Sequence, residues 1–259
     1  MDFFGSTDRG IRRSNNQDAF QLKTSGNLLI ATVCDGMGGC NGGNVASSLA
    51  VETYTKKLAK YITSALSFVF LGDIPEFGSP CEHFPEIRLG DFITKSVDVA
   101  NALVYSEAEK DPSLSGMGTT LTSCVVTPCG IVTANIGDSR IYYANDGKIT
   151  QLTKDHSLVQ ELVDKGKITE EEALTHPNRN IITRALGTDE TIKADIAEYP
   201  YREGFLLLCS DGLSGYYDED FFLQTLESGR SCEEKAKLLI DYANNCGGAD
   251  NITAVVIKL

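Results

Sequence analysis

Long apolar runs are missing from this chain: the greasiest stretch, residues 61–71, is too short for the roughly 20 residues that a membrane-spanning helix needs. The amino-terminal segment MDFFGSTDRGIRRSNNQD has no basic region followed by an apolar one, so no secretory leader is expected and the cytoplasm is the expected location. Basic charge is also scarce, with 23 Lys and Arg against 36 Asp and Glu and a net charge of −13. Such a field repels nucleic acid and anionic lipid, so neither nucleic acid nor membrane is an expected partner. The eight cysteines (Cys34, Cys40, Cys81, Cys124, Cys129, Cys209, Cys232, Cys246) include no Cys-x-x-Cys pair. They are read as reduced small hydrophobes rather than as a zinc or disulfide framework. Proline and glycine are too dispersed for a long disordered tail, and no internal repeat is found. What remains is 259 residues with 42% apolar content, enough to bury one core, and a single domain over 1–259 is expected.

Short β-branched runs at 28–34, 121–127, 131–136, 140–144, 205–210 and 252–258 read as strands. Turn residues at 128–130, 137–139 and 145–147 join successive runs, so 121–152 is expected to be an antiparallel meander. Helical periodicity marks 44–62, 92–109, 218–227 and 233–245. Ser157 with Gln160, and Thr169 with Glu172, fit capping boxes that open two short helices. Residues 68–90, with Pro75, Pro80 and Pro85, break both periods and read as a long loop.

Three aspartates close apolar runs: Asp35 after LLIATVC, Asp138 after IVTANIG and Asp211 after FLLLCS; Asp250 directly precedes ITAVVIK. Strand ends on one edge of a sheet converge in space, so acids spread along the chain can share one site. Their mutual repulsion calls for bound cation. With no His or Cys at ligand spacing, an oxygen-only set selects Mg²⁺ or Mn²⁺ over zinc. Asp-Gly is also a common turn dipeptide, and Asp146-Gly147 is assigned to a turn alone. The other acids differ in repeating the order of apolar strand then acid, and Gly36, Gly38 and Gly39 let backbone approach a ligand.

Arg13-Ser-Asn-Asn-Gln-Asp18, Asp35-Gly-Met-Gly-Gly39, Gly116-Met-Gly-Thr-Thr120, Gly137-Asp-Ser-Arg140, Asp155-His-Ser157, Thr183-Arg-Ala-Leu-Gly187, Ser210-Asp-Gly-Leu213 and Asp250-Asn251 follow in order along nearly the whole chain. Together they resemble the motifs of the metal-dependent, type 2C serine/threonine protein phosphatases in their compact bacterial form. The resemblance implies an α+β fold, a four-layer α/β/β/α sandwich of two antiparallel sheets flanked by helix pairs. It implies hydrolysis of phosphoserine and phosphothreonine in proteins by a metal-activated water, with no covalent intermediate, which agrees with the absence of a Cys-x5-Arg loop. Two Mn²⁺ or Mg²⁺ ions are implied, with a third, weaker site. Asp35 would bridge two metals, Asp211 and Asp250 would complete the first, and the Gly36 carbonyl would bind the second. Asp138 with Asp211 would hold the third. Arg13 would bind substrate phosphate, and Asp18 would orient water. The implied partners are phosphorylated proteins made by a Ser/Thr kinase, and a monomer is expected.

The chain departs from many eukaryotic relatives in having Met37 where they carry a proposed acid His, and Gln17 where they carry Glu. The leaving-group acid is therefore unassigned. His156 is expected to belong to a helix start, Arg12 and Arg140 to structural pairing, and Glu170, Glu171 and Glu172 to a solvated face. Residues 158–184 resemble a flap bordering the site. A non-catalytic phosphoprotein-binding relative would be expected to lose the metal acids or Arg13, and all are present. A phosphorylated metabolite as substrate is a further alternative, separable by comparing its turnover with that of phosphopeptides.

Overall fold

The computed structural model describes residues 1–69 and 89–259. One sheet has the order β1 (Phe3–Asp8), β11 (Ile252–Lys258), β10 (Phe205–Cys209), β7 (Arg140–Asn145) and β8 (Lys148–Gln151). The other runs β2 (Asp18–Thr24), β3 (Leu29–Met37), β5 (Leu121–Val126), β6 (Gly130–Ile136) and β9 (Asp195–Pro200), with the two-residue β4 (Gly118–Thr119) on the end of β3. Every pairing is antiparallel.

Alternation along the strands builds the layers, because successive side chains point to opposite faces. In β3, Leu29, Ala31 and Val33 meet Ile141, Leu206, Leu208, Val255 and Ile257 of the opposing sheet. The intervening Ile30 and Cys34 pack under α1 (Gly39–Val69) and α2 (Leu89–Lys110). On the far side, Leu207, Cys209, Ala254 and Val256 pack under α6 (Glu219–Glu227) and α7 (Cys232–Asn245). The α7 residues Cys232, Lys235, Ala236, Leu239, Ile240 and Ala243 are buried at helical spacing, which fixes the face it docks. Ser231 and Glu234 close a complete capping box at its start. The result is the expected α/β/β/α sandwich.

Several expectations need correction. The 121–152 segment is not one meander: β5 and β6 lie in one sheet, β7 and β8 in the other. The chain crosses between sheets at Gly137, whose φ of 101° suits glycine and lets the strand turn out of its plane. Strand β3 runs on through Asp35 to Met37 because β4 pairs with its end. The edge strands β1, β2 and β9 escape the apolar-run criterion because their residues are largely half-buried or exposed. Helices α1 and α2 begin and end outside the expected 44–62 and 92–109. Of the expected loop at 68–90, residues 68, 69, 89 and 90 are helical and the rest lie outside the described residues. Cys34, Cys124, Cys209, Cys232 and Cys246 are free thiols, but Cys129, in the turn before β6, is disulfide-bonded, against the expectation of reduced cysteines throughout.

Candidate active site

The carboxylates gather at one end of the space between the sheets. Asp18 and Asp35 face each other across β2 and β3, sharing the inward parity of Phe20 and Leu22 on one strand and of Ala31 and Val33 on the other. Asp211 opens α5 (Asp211–Ser214), a one-turn helix leaving β10; the strand-end position expected for it is thus also a helix start. Asp138 sits on the crossover between sheets, and Asp250 just before β11. Arg13, Gly36, Asp35, Asp138, Asp211 and Asp250 all line one pocket of about 470 Å³, together with Met37 and Gln17. Asp18 lies behind it, only 8% exposed.

Neutral groups hold these acids in place. Asp18 Oδ2 accepts hydrogen bonds from Ser210 Oγ (2.7 Å) and Thr253 Oγ1 (2.6 Å), both from the opposite sheet. Its Oδ1 is buried and without a partner among the described residues, as is Asp211 Oδ1. The Asp35 backbone is clamped by Thr120, whose Oγ1 accepts from Asp35 N at 2.9 Å and whose N–H donates to Asp35 O at 2.8 Å. Gly36 N donates to Gln17 O at 3.1 Å, and a Cβ on Gly36 would come within 2.0 Å of the Gly43 carbonyl oxygen, so only glycine fits there.

Burial and crowding of like charge set the electrostatics. Burial, followed by the charges of Asp211 and Asp250, pushes the Asp18 carboxyl up to about 7, although the hydrogen bonds from Thr253 and Ser210 oppose the rise. Burial, with Asp18 and then Asp211 beside it, holds Asp35 well above the usual carboxylate range. Asp138 is pushed up to about 8 by burial and by Asp211 and Asp155. Asp211 is raised by burial and by Asp250, against a hydrogen bond shared with the Asp35 carboxyl that opposes the rise. Among the described residues no three His, Cys, Asp or Glu side chains are already drawn together around a single point; the acids line the pocket walls. Orphaned buried oxygens and mutually repelling carboxyls nevertheless fit a hard divalent cation, which would neutralise the repulsion and give those oxygens a partner.

Arg13 is half exposed and donates from Nη2 to Asp250 Oδ2 at 2.6 Å. Its pairing is thus with a pocket acid. Arg140 forks Asp155 and also reaches the Tyr142 hydroxyl, a structural pairing as expected. His156 is buried; its Nδ1 accepts from Gly137 N at 3.1 Å and its Nε2 lies 3.1 Å from Asp195 Oδ2, which braces the crossover carrying Asp138. Ser157 caps α3 (Leu158–Asp164), but Gln160 turns to Asp164 and leaves the box half made. The Thr169 and Glu172 box before α4 (Glu170–Thr175) is complete. Helices α3 and α4 line a second cleft of about 530 Å³ that shares Asp138, Asn180, Asp211 and Asp250 with the pocket. Glu170 lines that cleft, beyond the purely solvated role expected of it. The roles of Ser210, Thr253, Thr120 and Asn251 are not legible from their residue types; membership of the quoted motifs is the one signal that marks Ser210, Thr120 and Asn251.

Fold and pocket together place the chain in the class of metal-dependent phosphatases built as α/β/β/α sandwiches. The protein phosphatase 2C family pattern matches residues 9–243, and the chain belongs to that family. It is 37% identical over 256 residues to the serine/threonine phosphatase stp of Listeria monocytogenes serotype 4b, covering 97% of this chain and 93% of that protein. The crystal structure of serine/threonine phosphatase Stp1 from Staphylococcus aureus superposes with a TM-score of 0.84 at 31% identity, over 99% of this chain and 94% of that one. The catalytic domain of serine threonine protein phosphatase PstP in complex with two manganese ions gives a TM-score of 0.76 at 32% identity, over 98% of this chain and 96% of that one.

Proposed function

We propose that this chain is a single catalytic domain, residues 1–259, that removes phosphate from phosphoserine and phosphothreonine in proteins, with the pocket at the sheet ends as its active site. The observation that carries the reading is a pair of buried oxygens without a partner among the described residues, Asp211 Oδ1 on the pocket wall and Asp18 Oδ1 behind it, beside the Arg13 guanidinium that lines the same pocket.

Asp35, Asp211, Asp250 and the Gly36 carbonyl would hold two divalent cations, Mn²⁺ or Mg²⁺, and Asp138 with Asp211 a third and weaker one. Such ions supply charge neutralisation on phosphoryl oxygens and an acidified water at neutral pH. Arg13 grips two phosphate oxygens through its planar fork, exchanging its pairing with Asp250 for substrate. Asp18, fixed by Ser210 and Thr253, keeps Oδ1 free to accept a proton or a hydrogen bond from water. Ser210 and Thr253 prevent that carboxylate from rotating away. Met37 offers no proton where it lines the pocket, so the departing serine or threonine alkoxide would take its proton from water rather than from that side chain.

The substrates are phosphoproteins, products of a Ser/Thr kinase. Residues 158–184 would serve as a flap beside the reacting phosphate, a reading supported by the cleft along α3 and α4 that shares Asp138 and Asp211 with the pocket. Action as a monomer in the cytoplasm is part of this proposal; among the described residues no helix is long and apolar enough to cross a membrane. The test is hydrolysis of a phosphothreonine peptide by the purified protein, with chelator and with each metal restored, beside phosphorylated metabolites. Persistent turnover in thoroughly metal-stripped protein sinks the mechanism, and faster turnover of a metabolite than of any peptide sinks the substrate class.

A further inference from the structure

Arg13 is carried by the irregular segment 9–17 between β1 and β2, which has no regular hydrogen-bond ladder of its own. One buried side chain ties this segment at three points. Asn251, 4% exposed, donates from Nδ2 to Arg9 O at 2.8 Å and to Asn15 O at 2.9 Å. Its Oδ1 accepts from Gln17 N at 2.8 Å. The two donors and the acceptor of the amide are thus all engaged, on both sides of Arg13. Its backbone N–H donates to Asp250 Oδ1 at 2.8 Å, and Asp250 Oδ2 is the partner of Arg13. The segment is pressed close: Gly10 has a φ of 76°, and a Cβ there would lie 2.0 Å from the Asp250 carbonyl oxygen. Ile11 N and Arg12 N add bonds to Gly248 O.

We infer that Asn251, at the wall of the pocket, is the positioning residue for phosphate recognition: its side-chain amide is spent on the 9–17 backbone and sets the distance between the Arg13 guanidinium and the acids of the pocket. This rests on the reading of Arg13 as the phosphate-binding residue. Only an amide side chain of this length can donate twice and accept once at these places. Asp has the same volume and keeps the acceptor for Gln17, but it turns lone pairs toward two carbonyl oxygens. Ala leaves one N–H and two C=O groups without their partner, each a costly loss when buried. Either change frees the ends of a nine-residue segment whose midpoint must hold a guanidinium in place.

The experiment uses the full chain with saturating Mn²⁺ and a phosphothreonine peptide, comparing Arg13→Ala, Asn251→Ala, Asn251→Asp and the Arg13→Ala/Asn251→Ala double variant. Steady-state kinetics are joined by the inhibition constant of inorganic phosphate, calorimetric Mn²⁺ affinity, and amide hydrogen exchange of residues 9–17 in chelated protein. Asn251→Ala and Asn251→Asp are expected to lower kcat/KM by about tenfold, to weaken phosphate inhibition by a similar factor, to speed exchange at Gln17, and to leave Mn²⁺ affinity within about threefold. The double variant should be scarcely worse than Arg13→Ala, because residues acting as one unit are not additive. Multiplicative losses, or unchanged phosphate inhibition in Asn251→Ala, overturn the inference. Unchanged kinetics in Arg13→Ala instead overturn the reading of Arg13 on which it rests. Should neither Asn251 variant fold, Asn251 serves the fold at large and the inference is likewise overturned.

Discussion

Removing metal should convert the acid cluster into a pH-dependent instability. Asp18 is 8% exposed, and its carboxyl is pushed from 3.8 to about 7 in the folded chain, by burial first and by Asp211 and Asp250 after it. The unfolded chain titrates near about 4. Below that value both states carry the proton and nothing is lost. Between about 4 and 7 the folded state holds a proton that the unfolded state has released, so stability falls as pH rises. The loss is complete above the folded value, and Asp138, raised to about 8, extends the window upward. One carboxyl shifted by about three units amounts to at most about 4 kcal/mol, a ceiling because its neighbours share the strain. For a chain of this size each kcal/mol moves Tm by about 2–4 °C, so chelated protein should lose several degrees between pH 5 and 8. Saturating Mn²⁺ should cancel the slope, and Asp18→Asn, neutral throughout, should flatten part of it in chelated protein. Differential scanning calorimetry at four pH values decides. A Tm in chelator that is level or rising across this range, or an Asp18→Asn slope as steep as that of the natural chain, refutes the reasoning.

Asp35→Asn, Asp211→Asn and Asp250→Asn should each abolish peptide turnover at saturating metal while leaving the protein soluble; near-normal rates in Asp211→Asn would show the site to be elsewhere. Asp138→Asn should give a partial loss that added Mn²⁺ repairs, read from a metal titration of kcat, and a loss indifferent to metal would remove Asp138 from the cation set. Arg13→Ala should lower kcat/KM about tenfold or more, at least about 1.4 kcal/mol, with Mn²⁺ affinity nearly unchanged; a mere surface pair with Asp250 would cost about 0–1 kcal/mol and spare the kinetics. The Ser210→Ala/Thr253→Val double variant, which strips both hydroxyls from Asp18 Oδ2, should reduce kcat with KM little altered, and an unchanged kcat would show that the carboxylate needs no such clamp.

The fold was legible where burial on both faces leaves an uninterrupted apolar strand, as in β3, β5, β6, β10 and β11, whose residues are nearly all buried. It was illegible where a strand lies at an edge and mixes polar with half-buried positions, as in β1, β2 and β9. The crossover between β6 and β7 is hidden from the sequence for a different reason. A turn sequence such as Gly137-Asp-Ser reports that the chain bends, but whether the next strand pairs with the last or leaves for another sheet depends on partners far away. Here β7 pairs with β10, whose residues lie more than sixty positions onward. That choice has a functional consequence, since it lifts Asp138 out of a hairpin and onto the rim.

The site divides in the same way. Asp35, Asp138 and Asp211 stand out in sequence because the order of apolar strand then acid repeats, which a single Asp-Gly turn does not explain, and Asp250 because it abuts the last apolar run. The groups that aim them are neutral, and Ser, Thr and Asn are commonplace in turns and strands. Ser210 and Thr253 reach Asp18 across 192 and 235 residues of chain, and Asn251 reaches Gln17 across 234. No local pattern encodes such a contact; it exists only because β2, near the start of the chain, lies opposite β10 and β11, near its end, in the other sheet. An acidic protein that must admit a phosphate dianion gains most from this layer of neutral donors. They fix carboxylates and guanidinium without adding negative charge, whereas ion pairs made for the same purpose would bring further carboxylates to the rim of a pocket already lined by four.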